Sequence, residues 1–148
     1  MFLQKVLLMK QIHTINGPNL NLLGKRETAI YGHQSFDNFL KELCSKFSEF
    51  NIHYFQSNVE GEIINYLQKI GYESDGIILN AGGYTHTSVA IADCIKAIST
   101  PVVEVHISNI FSREKIRHTS LIAANCKGSI SGFGLESYTL AVNSFQSC

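Results

Sequence analysis

The 148-residue sequence predicts an α/β fold, a five-stranded parallel sheet sandwiched between two layers of helices. Short strand-like runs alternate with helical ones along the chain, and such alternation implies right-handed crossovers between parallel strands. The run "DGIILNA" (75 to 81) is continuously apolar, as strands covered on both faces are. At this length, with 45% hydrophobic and 16% charged residues, the chain fits a single domain, 1–148, with one sizeable core.

Each element has its own signal. The start "MFLQKVLLMKQ" is apolar, but Lys5 interrupts it, it is too short to span a bilayer, and no small-residue cleavage pattern follows; residues 1–9 read as a lead-in. "QIHTI" (11 to 15) is the first strand. "SFDNFLKELCSKFSEF" (35 to 50) carries Phe36, Phe39, Leu40, Leu43, Cys44, Phe47 and Phe50 at helical spacing, with Ser35 placed to cap it. "IHYFQ" (52 to 56) is a strand, and "GEIINYLQKI" (61 to 70) a helix ended by Gly71. After the third strand (75 to 81) come the helix "SVAIADCIKAI" (88 to 98) and the strand "PVVEVHI" (101 to 107). Residues 108 to 126 read as irregular or partly helical, "GSISG" (128 to 132) as a short fifth strand and "LESYTLAVNSF" (135 to 145) as the closing helix.

Five such strands fit the flavodoxin-like order 2-1-3-4-5. Open sheets of this kind bind ligands beyond the carboxyl ends of the strands, where the winding reverses between strands one and three. The loops there are "NGPN" (16 to 19) and "NAGGYTH" (80 to 86), with "HISN" (106 to 109) one strand further on.

Composition excludes several function classes. Lys and Arg (12) balance Asp and Glu (12), which argues against broad nucleic-acid or membrane-surface binding. Cys44, Cys94, Cys126 and Cys148 lie far apart, suggesting neither a zinc site nor a redox dithiol and fitting the reduced thiols of a cytoplasmic protein. No phosphate loop, early dinucleotide fingerprint, zinc-protease helix motif or nucleophile elbow is present.

The candidate residues cluster in the rim loops. Asn16, Gly17, Pro18 and Asn19 are ordinary turn residues, as are Asn80, Gly82 and Gly83; their place on the rim gives them a second reading. Residues 20–33 lack an apolar period and read as an active-site lid, with Tyr31 preceded by Lys25 and Arg26. A cation beside a phenol favours the phenolate and creates a base. Glu104 and His106, two apart on a strand, share a face, so the carboxylate can orient the imidazole as a general acid; a structural ion pair is the alternative. His86 stands where the third helix begins, as a site residue or a cap. Asp93 interrupts an apolar helix and, if buried, needs a partner, either across a subunit contact or in the site. Arg113 and Arg117 are four apart, on one face if helical, as a solvated face or a carboxylate clamp.

Taken together, "INGPNLNLLGKRETAIYG", "ILNAGGYTHTSVAIAD", "PVVEVHISN", "SREKIRHTS" and "GSISGFGLESYTLAV" resemble type II 3-dehydroquinate dehydratase, with the blocks in family order from about residue 11 to 142. The resemblance implies the flavodoxin-like fold and anti elimination of water from 3-dehydroquinate, through an enol or enolate, giving 3-dehydroshikimate without metal or organic cofactor. By position, Tyr31 matches the base, Arg26 the arginine that favours its anion, His106 the general acid and Glu104 the residue that orients it. Asn19 matches the residue associated with a water that steadies the enolate. Asn80, His86 and Arg117 match the hydroxyl-binding residues, Ile107 (through its N–H) and Ser108 the carboxylate grip, and Arg113 a second lid-proximal arginine. Asp93 matches a residue that reaches a neighbouring subunit's site, since the family forms trimers assembled into a dodecamer. Thr28 stands where the family commonly has Pro, which would leave the lid more mobile. The rival readings are a flavodoxin-like module for a flavin or nucleotide, resting on fold alone, and a homologue that has lost activity.

Overall fold

A computed structural model of the chain describes residues 9–25 and 27–146. Residues 1–8 of the expected lead-in, Arg26 and Cys148 lie outside the described residues. Five strands form, β1 (Lys10–Asn16), β2 (Phe50–Gln56), β3 (Gly76–Asn80), β4 (Val102–His106) and β5 (Gly128–Ser131). Four helices of two turns or more accompany them, α1 (Phe36–Lys46), α2 (Glu60–Ile70), α3 (Val89–Ala97) and α4 (Glu136–Asn143). The strands are parallel and ordered β2-β1-β3-β4-β5, the flavodoxin-like order the sequence predicts.

The pleat divides the core. Ile12, Ile78, Val103 and Val105 pack with α1 and α4 through Phe36, Phe39, Leu43, Tyr138 and Val142. Ile15, Ile77, Leu79 and Val102 point the other way, to Ile63 and Leu67 of α2 and Ile91 and Ile95 of α3. Adjacent residues of β3 feed opposite layers, which is why that strand has no polar alternation.

Three sequence expectations need adjustment. Helix α1 stops at Lys46 instead of running to 50, because Phe50 pairs with Lys10 as the first residue of β2. Its start is as expected, with the Ser35 hydroxyl accepting from the Asn38 N–H at 3.3 Å. Gly71 ends α2, but in right-handed geometry (φ −72°); it is needed for space, since a Cβ would stand 2.5 Å from Ile98 Cγ2. The third adjustment concerns the lid, which holds a 3-10 turn (Leu20–Leu22) and one helical turn (Thr28–Tyr31). Leu20 and Leu23 are buried and tie its first half to the core, without the spacing that a regular element would show. Among the described residues no helix is long and apolar enough to cross a membrane.

Candidate active site

β1, β3 and β4 end on Asn16, Asn80 and His106, so three polar side chains sit at the carboxyl rim. Asn16 and Asn80 are register partners, and the Gly17 N–H donates to the Asn80 carbonyl at 2.7 Å. A Cβ on Gly17 would lie 2.5 Å from the Ala81 carbonyl oxygen, so only glycine lets the two loops touch. Above this contact lies a cavity of about 200 Å³. Asn19, Tyr31, Asn80, His86, His106, Ile107, Ser108, Arg113 and Arg117 all line it.

Its inner wall carries a charge pair. Glu104 is fully buried and His106 is 6% exposed, and His106 Nε2 donates to Glu104 Oε1 at 2.6 Å. Burial alone would raise the Glu104 carboxyl; the hydrogen bond and charge of His106, with the hydroxyls of Ser120 and Ser129, outweigh it and hold the group below the usual carboxylate range. The Ser120 hydroxyl donates to the same Oε1 at 2.7 Å and is itself fixed by the Ala123 N–H at 3.0 Å. Because Nε2 is committed to the carboxylate, Nδ1 is the nitrogen left to exchange a proton with a ligand.

His86 closes the 3-10 turn Gly82–His86 and its ring stacks 6.2 Å from that of His106. Its Nδ1 donates to the Thr119 carbonyl at 2.8 Å, so Nε2 of the neutral ring is an acceptor for a hydroxyl proton. The Asn80 amide is turned by the Gly82 N–H, which donates to its Oδ1 at 3.2 Å.

Across the cavity, Tyr31 meets Arg113, the lid-proximal arginine of the resemblance. Arg113 Nη1 donates to the Tyr31 hydroxyl oxygen at 2.8 Å and approaches Ser108 Oγ at 3.4 Å, with its guanidinium carbon 5.6 Å from the tyrosine ring centroid. Lys25, one of the two cations expected there, lines a different hollow beside Phe36 and Tyr54. Arg113 and Arg117 do not share a helix face: Arg113 is extended between two 3-10 turns, and Arg117 belongs to the second. Both still reach the cavity, Arg117 with its Nε held by Glu114 at 2.8 Å.

Asp93 is solvent-exposed on α3 and not part of the cavity lining, so within one chain it is neither buried nor in the site. Ala92 and Cys94 on either side of it are buried while it points out. Sequence reasoning missed Glu27, which lines the cavity at an unusual φ of 40°, and Ser120, which lies 16 residues from Glu104 with no spacing rule to join them. No group of three or more His, Cys, Asp or Glu able to hold a metal forms among the described residues.

Residues 10–146 match the family described as Dehydroquinase class II. A 3-dehydroquinate dehydratase of Caldicellulosiruptor bescii is 53% identical over 137 residues, spanning 90% of this chain and 94% of the relative. Two solved type II dehydroquinases share the fold. That of Butyrivibrio crossotus has TM-score 0.88 at 41% identity, covering 93% of this chain and 97% of its own. That of Propionibacterium acnes has TM-score 0.91 at 33% identity, covering 95% and 99%. With the family matched over nearly the whole described chain and the fold shared end to end, this chain belongs to the class II dehydroquinase family.

Proposed function

We propose that the chain dehydrates 3-dehydroquinate to 3-dehydroshikimate in the shikimate pathway, with Tyr31 as the base and His106 as the acid. The observation that carries this reading is the pairing of two acid–base groups in one small cavity: an Arg113-bound phenol and a Glu104-bound imidazole. Tyr31, as phenolate, takes a proton from the carbon beside the ketone, and the electron pair moves into an enolate. A positive donor on the phenol oxygen stabilises the anion, a part Arg113 fills; the resemblance gives Arg26 the same part. The enolate then reforms the ketone and pushes out the hydroxyl two carbons away. His106 gives that hydroxyl a proton from Nδ1, so it departs as water, and Glu104 holds the imidazolium in place. Hydrogen and hydroxyl leave from opposite faces of the ring.

The binding roles are those the resemblance implies, and the shared cavity supports them. Asn80, His86 and Arg117 hold the substrate hydroxyls, and Ser108 with the Ile107 N–H grips the carboxylate beside Arg113. Asn19 holds the water that steadies the enolate. The lid closes over the substrate and expels solvent, which strengthens each of these charge interactions. Exposed Asp93 meets a neighbouring copy in trimers that assemble into a dodecamer in the cytoplasm. Purified protein given 3-dehydroquinate should generate the ultraviolet absorbance of a conjugated enone. A folded assembly that leaves the spectrum unchanged overturns the proposal, and tighter binding of a flavin or nucleotide than of 3-dehydroquinate favours the rival module.

A further inference from the structure

Behind the cavity wall a buried chain of side chains runs inward from Asn80. Asn16 and Tyr138 are fully buried and Asn80 is 3% exposed. Asn80 Nδ2 donates to the Tyr138 hydroxyl at 2.9 Å, that hydroxyl donates to Asn16 Oδ1 at 2.7 Å, and Asn16 Nδ2 reaches the Tyr54 hydroxyl at 3.4 Å. The Tyr138 ring is held by Phe36 and Phe39 of α1, with centroids 5.0 and 5.9 Å away.

The direction of the chain is fixed from one end. The Gly82 N–H can only donate, so the atom of Asn80 facing it is Oδ1, and the atom facing Tyr138 is therefore Nδ2. Nδ2 has no lone pair to offer, so the Tyr138 proton must go to Asn16 Oδ1. Burial pushes the Tyr138 phenol far above its ordinary value, so the hydroxyl keeps the proton it has to donate. With one N–H of Asn80 held by Tyr138, one N–H remains for the cavity that Asn80 lines.

The geometry points to Tyr138 and Asn16 as positioning residues that fix the Asn80 amide so that a donor, and not an acceptor, meets a hydroxyl oxygen of the substrate. This rests on the dehydratase reading and names how one of its binding groups is aimed. Without the Tyr138 hydroxyl, Asn80 loses the partner that opposes a 180° amide flip, and the buried Asn16 oxygen loses its donor.

The test is a kinetic cycle on the full-length chain with 3-dehydroquinate. Tyr138→Phe keeps the ring and should raise KM about tenfold with kcat changed less than about threefold, the size of one lost hydrogen bond in uniform binding. Asn80→Ala should raise KM at least as much, and the double variant should match Asn80→Ala alone. Additive effects, or a Tyr138→Phe loss confined to kcat, overturn the inference. Should Tyr138→Phe not fold, the wild type gives the answer by nuclear magnetic resonance. Of the two Asn80 side-chain amide protons, one should be protected from exchange in the free protein and the other should move when 3-dehydroshikimate is added. Two protons exchanging alike overturn the inference. A wild type without dehydratase activity refutes the parent reading instead, so the two failures are distinguishable.

Discussion

Glu104→Gln removes one charge from the inner wall and leaves its shape. In the native site the carboxylate accepts from His106 at 2.6 Å and from Ser120 at 2.7 Å, with no exposure to solvent. Opposite charges about 4 Å apart at an effective dielectric near 20 interact by about 4 kcal/mol, and charge-assisted hydrogen bonds are worth about 1.5–3 kcal/mol net. Glutamine keeps an acceptor for Ser120 but offers no charge to hold an imidazolium, and its amide nitrogen can turn His106 to the wrong tautomer. A transition-state loss of about 3–4 kcal/mol lowers kcat/KM by roughly two to three decades. The assay is the initial rate of enone absorbance, with circular dichroism to verify the fold. A folded Glu104→Gln variant within about threefold of wild-type kcat/KM would show that Glu104 and His106 form a structural ion pair, and the acid would have to be sought elsewhere.

Arg113→Lys replaces the donor that bridges Tyr31 and Ser108 with a point charge that cannot reach both, and kcat/KM should fall about 10- to 100-fold in the same assay. Gly17→Ala drives a Cβ to 2.5 Å from the Ala81 carbonyl oxygen, and the forced separation of the two rim loops should cost about 1–3 kcal/mol, read as a lower Tm. His13 is pushed down to about 4 by burial, then by the charges of His53 and Lys69. Between the ordinary value near 6.5 and about 4 the unfolded chain therefore binds the extra proton, so this stability is full above 6.5 and lost as the pH falls toward 4. Discounted for partial exposure, the effect is about 1–2 kcal/mol, and urea titrations of His13→Gln should show that much less loss between pH 7 and pH 4 than wild type does.

The fold was legible because its signals are local. The apolar run of β3 encodes a strand covered twice, and Phe36, Phe39 and Leu43 encode the inward face of α1. The end of α1 was not legible, since Phe47 and Phe50 keep helical spacing while the pairing of Phe50 with Lys10 is set 40 residues away. Glu104 and His106 were readable as a pair because strand geometry alone brings positions two apart to one face. The Arg113 contact with Tyr31 spans 82 residues and depends on irregular turns that carry no period, so local reasoning offered only the neighbouring Lys25 and Arg26, and Arg113 entered through the resemblance as a lid-proximal arginine. Asp93 was readable only in part: the apolar helix around it left a subunit contact and the site as alternatives, and its exposure within one chain removes only the site of the same chain. The Tyr138 relay was hidden for the same reason as Arg113, since 122 residues separate Tyr138 from Asn16.

The most direct measurement compares the single-turnover rate of wild type with that of Tyr31→Phe on 3-dehydroquinate, with both proteins verified as folded. Wild type should form the enone, and the variant, which keeps the ring but has no oxygen to take the proton, should be slower by about three decades or more. A Tyr31→Phe protein that turns over at near the wild-type rate would contradict the account, because the proton would then be leaving to some other base.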